Sequence, residues 1–326
     1  MTDLPVSRPG WLYRLFLHWL KRASKGRDGL PLPDTLTPDS LAALRRMTGM
    51  PSFPQSLSSI QIRRWREIMV PCSGEGRLAR LYRPRGRVTG LVLFMHGGGF
   101  VHCDMVSHHG ICCRLARHSG AMVLSLDYRL APEAPFPAAV DDGWEALLWL
   151  QEQARALDLP LAVCGDSAGG NLAAVLARRA RDHGLDRMAA QLLYYPTVSG
   201  LLSPPSREIY GQGFMLTARL LEWYGRQYSR CDRDMLDPDL APVFADNFVG
   251  LARAMIVTAG FDPLRGEAEL YTSLLRDAGV AVRLVCFDKA IHGFLNFYAA
   301  LVDGRRALRL GGQFLRRCFH EAACEG

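Results

Sequence analysis

Short apolar runs alternate with longer, periodically spaced segments through the middle of this 326-residue chain. A short run of consecutive apolar residues is typical of a strand buried on both faces, and helical spacing is typical of an amphipathic helix. The pattern predicts strands at Leu91–Met95, Ala121–Tyr128, Leu161–Gly165, Ala189–Tyr195, Met255–Ala259 and Val282–Phe287, and helices at Asp141–Leu157 and Asn171–His183. This alternation favours a mostly parallel sheet with helices on both faces, which is an α/β fold.

Two segments do not follow this alternation. The first fifty residues contain two helix-like stretches, Trp11–Leu20 and Leu41–Met47. The other segment extends from Val198 to about Asp237, between two predicted strands, and also has helical spacing. Large apolar side chains in both segments predict either mutual packing or the lining of a pocket, and both readings stay open for Trp11, Phe16, Trp19, Phe214, Met215 and Trp223.

Composition limits the classes of function. A chain with 49% hydrophobic residues can bury a large core, and no apolar run is long enough to predict a membrane span. Trp11–Leu20 lacks a charged start and a small-residue cleavage site, so we expect no signal peptide. The net charge of +7 comes mostly from arginines scattered among acidic residues. Because a nucleic-acid surface clusters its basic residues, we expect no nucleic-acid partner.

The nine cysteines are odd in number and scattered, and Cys164 lies inside a predicted strand. This pattern is unlike a secreted disulfide framework and favours the cytoplasm. One stretch is rich in possible metal ligands: His102, Cys103, His108, His109, Cys112, Cys113 and His118. Zinc sites pair their ligands at short, fixed spacings. Because this stretch lacks such pairs, we expect no bound metal.

Ser167 lies between two glycines in Gly165-Asp166-Ser167-Ala168-Gly169, where a predicted strand meets a predicted helix. A serine at so tight a turn has the geometry of a nucleophile elbow, whose strained backbone lifts the hydroxyl clear of the sheet. Only glycine-sized neighbours let strand and helix approach this closely. We predict that Ser167 is a nucleophile and that Asp166 holds the turn without reacting.

Three consecutive glycines in His96-Gly97-Gly98-Gly99-Phe100 follow the strand Leu91–Met95. Such a run costs backbone entropy, so it suits a place where the backbone must approach another group closely. Beside the serine elbow, that group would be an oxyanion. We predict an oxyanion hole formed by the N–H groups of Gly98, Gly99 and Ala168.

A carboxylate and a histidine follow the next two predicted strands. Asp262 comes just after Met255–Ala259, and His292 comes just after Val282–Phe287. Open α/β sheets place their sites at the carboxyl ends of strands. The order Ser167, Asp262, His292 is the order that α/β-hydrolases use. Asp288 is the alternative acid, since it lies four residues before His292.

These motifs resemble those of the hormone-sensitive-lipase family of α/β-hydrolase esterases. The matching residues extend over about residues 65 to 300: His96–Phe100, Asp127–Glu133, Phe136–Ala139, Gly165–Asn171, Tyr194–Pro196, Ala259–Leu264, Glu267 and His292–Phe294. The resemblance implies Ser167 as nucleophile, His292 as general base and Asp262 as its orienting acid, with the oxyanion hole named above. It also implies hydrolysis of small carboxylic esters with short or medium acyl chains, without cofactor or metal.

The resemblance further implies that the two irregular segments form a helical cap above the triad. On that basis residues 1–50 and 198–237 are the two parts of the cap, and residues 51–197 and 238–326 are the two parts of the hydrolase core. Peripheral helices without a role at the site are the alternative. A homodimer also stays open.

Three positions depart from the family pattern: Gly266 stands where an acidic residue is common, Cys103 where glycine is common, and Asp288–Ile291 where a Pro-Gly pair often precedes the histidine. They bear on the loops around the site and on the choice of substrate. An amide or carbamate hydrolase with the same triad is one alternative function. A ligand receptor, like the gibberellin receptors that have lost the histidine, is another, and the presence of His292 argues against it.

Overall fold

The computed structural model describes residues 8–23, 37–51, 53–72 and 74–325. Eight strands form one sheet: β1 (Arg64–Val70), β2 (Arg77–Arg83), β3 (Leu91–Met95), β4 (Met122–Leu126), β5 (Leu161–Asp166), β6 (Met188–Tyr194), β7 (Arg253–Phe261) and β8 (Val282–Ile291). Their order in the sheet is β1-β2-β4-β3-β5-β6-β7-β8. The six strands from β4 to β8 in this order are parallel, and only the pairs that include β2 are antiparallel. The predicted α/β fold is confirmed.

Ten α-helices surround this sheet in the described part of the chain: α1 (Trp11–Ala23), α2 (Pro38–Thr48), α3 (Gln55–Ser59), α4 (His109–Ser119), α5 (Ala138–Leu157), α6 (Ala168–Asp182), α7 (Pro205–Tyr210), α8 (Ala218–Tyr228), α9 (Arg265–Asp277) and α10 (Val302–Glu325). Helices α5, α6 and α9 pack on one face, and α4 and α10 pack on the other. Alternate residues of β3 enter the two cores, Leu93 on one side and Phe94 on the other. Apolar layers on both faces explain why the central strands are continuous apolar runs.

The β1–β2 hairpin at the edge of the sheet was not predicted from the apolar pattern. Its strands are rich in arginine and mix exposed, half-buried and buried positions without a continuous apolar run. Arg80 is nevertheless buried, because its guanidinium bonds to Glu67 at 2.9 Å and lies over the ring of Trp65. A buried arginine whose charge is paired in this way interrupts the apolar run, so the apolar pattern does not indicate the strand.

Two boundaries differ from the sequence-based prediction in a way that matters for the site. Helix α6 begins at Ala168, three residues earlier than the spacing predicted, because its glycine-rich first turn packs tightly against β3. Strand β8 continues through Ile291, so the chain reaches His292 directly from a strand. The glycines at the start of α6 disfavour helix, and the charged pair near the end of β8 disfavours strand. The sequence pattern therefore predicted both elements too short.

Helix α1 packs against the rest of the protein through Tyr13, Phe16, Leu17 and Leu20, and its two tryptophans lie outside this buried face. Tyr13 and Leu20 are buried, whereas Trp11 and Trp19 are 63% and 62% exposed. The Tyr13 hydroxyl donates to the Asp303 carboxylate at 3.1 Å. The division of the chain into core and cap stays a prediction, and residues 1–7 and 24–36 of its first part lie outside the described residues. No helix in the described ranges has both the length and the apolar character that crossing a bilayer requires.

Candidate active site

Ser167 occupies the turn between β5 and α6, with φ of 54° and ψ of −119°. A positive φ is rare for a residue with a side chain, and the surrounding backbone holds it there. The Ser167 N–H donates to the Tyr194 carbonyl at 2.9 Å. A Cβ at Gly165 would overlap the backbone of Gly169, and one at Gly169 would overlap the carbonyl oxygen of Met95. The approach of helix to strand therefore requires glycine at both positions.

Two hydrogen bonds connect the three residues that the sequence predicts as a triad. His292 Nε2 lies 2.9 Å from Ser167 Oγ, and His292 Nδ1 lies 2.8 Å from Asp262 Oδ2. The Leu264 N–H donates to Asp262 Oδ1 at 2.9 Å and so orients the carboxylate. Asp262 is 1% exposed and His292 6% exposed. A hydroxyl, an imidazole and a buried carboxylate arranged in this sequence can transfer a proton from the serine to the histidine.

Asp288 lies elsewhere. It is an exposed residue of β8, and among the described residues the carboxylate that contacts the His292 ring is that of Asp262. Asp288 lies within this strand, three residues before its end, and its backbone packs against Gly260. The geometry therefore favours Asp262 over Asp288 as the partner of His292.

The triple-glycine loop leaves β3 directly beside the elbow. Gly98 has φ of 117° and Gly99 has φ of 61°, conformations that glycine adopts readily. The N–H groups of Val101 and His102 both donate to the Gly98 carbonyl at 3.1 Å, which closes a tight turn. Ala168 is the first residue of α6, so its N–H has no acceptor within the helix. These predicted oxyanion donors surround Ser167, and their role stays a prediction.

Asp166 connects the elbow to the triple-glycine loop. Its carboxylate accepts from the Gly97 N–H at 3.0 Å and lies 3.2 Å from His108 Nε2. Burial by itself would raise the pKa of this carboxyl, but the His108 ring and the Gly97 N–H outweigh burial and lower that pKa. Asp166 is thus a buried anion that holds the loop in place, as the sequence-based reading expected of a residue that does not react.

Tyr224 of α8 makes a contact with this loop that the sequence did not reveal. Its hydroxyl lies 2.5 Å from His102 Nε2, and its ring packs on Gly99, where any Cβ would overlap it. Burial lowers the pKa of His102 to about 3, so this ring is neutral at ordinary pH. Helical spacing in this segment predicts a helix but not what it packs against, so only the tertiary contact identifies the neighbours of Tyr224.

Two cavities adjoin Ser167, and both are also lined by Gly99, Leu216 and Tyr224. The smaller has a volume of about 70 Å³, and the larger has about 400 Å³ and includes His292 in its lining. Both of the irregular segments contribute to the larger cavity: Phe16, Trp19, Leu20 and Met47 from the first, and Met215, Leu216, Leu220 and Tyr224 from the second. Of the large apolar side chains singled out in the sequence, Phe16, Trp19 and Met215 thus line a cavity.

The departures from the family pattern have local explanations. A Cβ at Gly266 would lie 2.6 Å from the Pro204 Cβ, so no larger residue fits beside α7. Cys103 has φ of 66°, the left-handed conformation that favours glycine at this position. The segment before His292 is strand, with a bulge opposite Ala259–Phe261.

The side chains of the histidine- and cysteine-rich stretch take part in several separate structural contacts. His108 faces Asp166, as described above, and His109 Nε2 lies 3.0 Å from Ser59 Oγ while its Nδ1 lies 3.2 Å from the Tyr82 hydroxyl. Burial raises the pKa of Cys113 to about 12. In the described ranges, no three histidine, cysteine or acidic side chains converge in the way that a metal ion needs.

Comparison with known proteins agrees with this geometry. A family profile described as an alpha/beta hydrolase fold matches residues 92–296. A carboxylic ester hydrolase of Mycobacterium tuberculosis, LipN, is 41% identical over 283 residues, which are 84% of this chain and 74% of that protein. An ethyl acetate hydrolase of Pseudomonas putida is 37% identical over 237 residues, covering 70% of this chain and 74% of the relative.

Solved structures are also similar along nearly the whole chain. A hyperthermophilic esterase from the archaeon Pyrobaculum calidifontis superposes with a TM-score of 0.87 at 38% identity, covering 95% of this chain and 99% of that one. EstE1, a thermostable carboxylesterase cloned from a metagenomic library, superposes with a TM-score of 0.80 at 36% identity, covering 88% and 99% of the two chains. The structural similarity therefore extends over more of the chain than the 92–296 range of the family profile.

Proposed function

Since this chain belongs to the α/β-hydrolase fold family, we propose that it is a serine esterase in which Ser167, His292 and Asp262 hydrolyse carboxylic esters of short to medium acyl chain. The observation that carries the proposal is the hydrogen-bonded connection from Ser167 through His292 to the buried Asp262. Relatives named as ester hydrolases and solved esterase structures support the same reaction class.

The first half-reaction forms an acyl-enzyme. His292 Nε2 takes the proton of Ser167 Oγ as that oxygen attacks the ester carbonyl, and Asp262 holds the imidazole in the tautomer that can accept it. The negative charge that develops on the carbonyl oxygen lies near the N–H groups of Gly98, Gly99 and Ala168. When the carbon–oxygen bond breaks, the alkoxide leaves with the proton from His292.

The second half-reaction releases the acid. Water enters beside His292, which removes a proton from it while the water oxygen attacks the acyl carbonyl. The bond to Ser167 Oγ then breaks, and His292 returns the proton to the serine. Each turnover thus consumes one ester and one water and yields one carboxylic acid and one alcohol, and all catalytic groups return to their starting state.

Amide hydrolysis requires the same groups to protonate a leaving nitrogen, so the triad alone favours neither substrate. The named relatives favour esters.

All nine cysteines are free thiols within the described residues. A reducing compartment keeps thiols in this state, and we therefore propose that the enzyme is cytoplasmic.

Replacement of the nucleophile tests the function. Ser167→Ala is expected to lower kcat on aryl esters of graded acyl length by about 10⁶-fold, because the triad members act as a unit. Ser273→Ala, the same chemical change at an exposed position of α9, is the control and should leave kcat unchanged. Anilides matched to the esters measure the competing amide activity. Near wild-type ester hydrolysis by folded Ser167→Ala would contradict the proposal, and faster hydrolysis of anilides would favour the amide alternative.

A further inference from the structure

The two cavities beside Ser167 differ in their relation to His292. This ring lines the larger cavity, whereas the described lining of the smaller one contains Gly99, Ala168 and Ser167 without it. In the proposed reaction His292 gives its proton to the leaving alcohol, so the alcohol part must lie on the His292 side. Since the larger cavity then holds the alcohol part, the smaller cavity, which Ser167 also lines, is the space left for the acyl group.

Arg207 of α7 brings a positive charge to this smaller cavity. The rest of the described lining is apolar or uncharged, with Leu216, Leu221, Met235 and Leu264 among its members. Arg207 is half-buried, and in the described ranges its guanidinium makes no ion pair within 4 Å and no side-chain hydrogen bond, although it interacts electrostatically with the buried Glu267. A cation in the lining of an apolar cavity that has no hydrogen-bonded counter-ion is available to a bound anion.

The acidic groups nearest to Arg207 do not neutralise it. Glu267 interacts with it electrostatically, but this buried carboxyl accepts from the Ser199 N–H at 2.8 Å and from the Val198 N–H at 3.3 Å. Burial raises the pKa of Glu267 to about 8, although Arg207 opposes that rise, so the group is mostly protonated at neutral pH. Glu208, the next residue of α7, is exposed to solvent.

We propose that Arg207 binds a carboxylate at the far end of the acyl group, so that the preferred substrates are half-esters of short dicarboxylic acids. The guanidinium can form two parallel hydrogen bonds with a carboxylate, and the partly enclosed cavity limits competition from water. The apolar walls would contact the methylene groups between the two ends of the acid. This inference rests on the proposed esterase function and adds the chemical class of the acyl group.

A series of ethyl half-esters tests the proposal. The wild-type enzyme is assayed on the monoethyl esters of malonic, succinic, glutaric and adipic acids, each beside a neutral ethyl ester in which an isopropyl group replaces the carboxylate. We expect at least one half-ester to have a higher kcat/KM than its neutral counterpart. Arg207→Met should lower kcat/KM for that half-ester by about 10- to 100-fold, the usual range for a hydrogen-bonded charge pair.

The expected change lies mainly in KM, because the carboxylate contact is the same in the bound substrate and in the transition state. Arg207→Lys should keep part of the preference, because it keeps the charge without the planar fork. Arg226→Met removes an exposed arginine of α8 outside the described lining of both cavities, and it should leave the preference intact. The free dicarboxylate should inhibit the wild type competitively and Arg207→Met only weakly.

The outcomes separate this inference from the function on which it rests. If the wild type hydrolyses neutral esters and Arg207→Met leaves the ratio of half-ester to neutral ester unchanged, the carboxylate site is refuted and the esterase stands. If the wild type hydrolyses none of the esters, charged or neutral, the proposed function itself is wrong. A preference that Arg226→Met reduces as much as Arg207→Met would also refute the site, since it would reflect net charge alone.

Discussion

The two sides of the site are built by different means. On the core side, backbone groups and short polar side chains at strand ends surround Ser167, and glycines at 165 and 169 allow that close packing. On the side of the irregular segments, the cavities are lined by aromatic rings, leucines, methionines and one arginine. Hydrogen-bond geometry tolerates little variation, whereas apolar linings change with modest cost. From this comparison we propose that the core side supplies the chemistry and that the helices of the irregular segments select the substrate.

Tyr224 lies where these two sides meet. Its ring covers Gly99 of the triple-glycine loop, and its hydroxyl contacts His102 in the same loop. The helix that lines both cavities therefore also contacts the predicted oxyanion donors. This contact is the point at which the division between chemistry and substrate choice can be tested most directly.

Among changes that keep Ser167, the largest expected effect comes from the core side. Asp262→Asn should lower kcat by about 10⁴-fold, because an amide at this position favours the wrong tautomer of His292. Asp288→Asn is the matched control, the same change at an exposed position four residues before the histidine, and it should have little effect. Steady-state kinetics on one aryl ester measures both. The opposite ranking would transfer the acid role to Asp288.

A change at the contact between Tyr224 and Gly99 should have the next largest effect. The methyl group of Gly99→Ala would overlap the Tyr224 ring, and the side chain would strain a backbone with φ of 61°. We expect kcat to fall by about 10²- to 10³-fold, the usual cost of losing one oxyanion donor. The double variant Gly99→Ala/Tyr224→Ala removes the overlap and should recover part of the loss. If it recovers none, backbone strain alone accounts for the defect and α8 does not influence the loop.

A smaller effect is expected from the first irregular segment. Trp19 lines the larger cavity, whereas Trp11 of the same helix does not line either cavity in the described structure, and the two are almost equally exposed. Trp19→Ala should change the ratio of kcat/KM for long and short alcohol groups by a few-fold, and Trp11→Ala should leave it unchanged. Equal effects of the two variants would mean that α1 only packs against the protein.

Replacement of Glu267 is expected to have the smallest effect on turnover. Its main effect should be on how protein stability depends on pH. The pKa of Glu267 is about 8 in the fold against an ordinary 4.5, because burial disfavours the charged form. The unfolded chain therefore binds fewer protons than the fold between these values, and the contribution of Glu267 to stability falls as the pH rises through that window.

Glu267→Gln removes this titration while an amide oxygen can still accept from Ser199. The variant should lose less of its thermal stability than the wild type between pH 5 and about pH 8.5, with kcat little changed. Thermal unfolding at both pH values measures the difference. Glu208→Gln, an exposed change on α7, is the control. If the thermal stability of the wild type and of Glu267→Gln changes equally with pH, the conclusion that burial raises the pKa of Glu267 is wrong.

The parallel part of the sheet and the residues of the candidate triad could be predicted from the chain because both leave local patterns. Buried central strands must be apolar, and the elbow must have glycines at 165 and 169. The edge hairpin could not be predicted in this way, since Arg80 is satisfied by Glu67 and Trp65 rather than exposed. The buried face of α1 could not be predicted either, because its large exposed tryptophans outweighed Tyr13 in the apolar pattern.

The sequence by itself determined the kind of fold, the order of Ser167, Asp262 and His292 along the chain, and the glycines without which the elbow cannot close. These features depend on neighbours within a few residues and on strand ends that a parallel sheet must bring to one edge. The tertiary structure alone decided that Tyr224 covers Gly99 and that Arg207 lines the smaller cavity. Those contacts join residues far apart in the chain, and their geometry depends on how helices pack above the sheet, which no local pattern encodes.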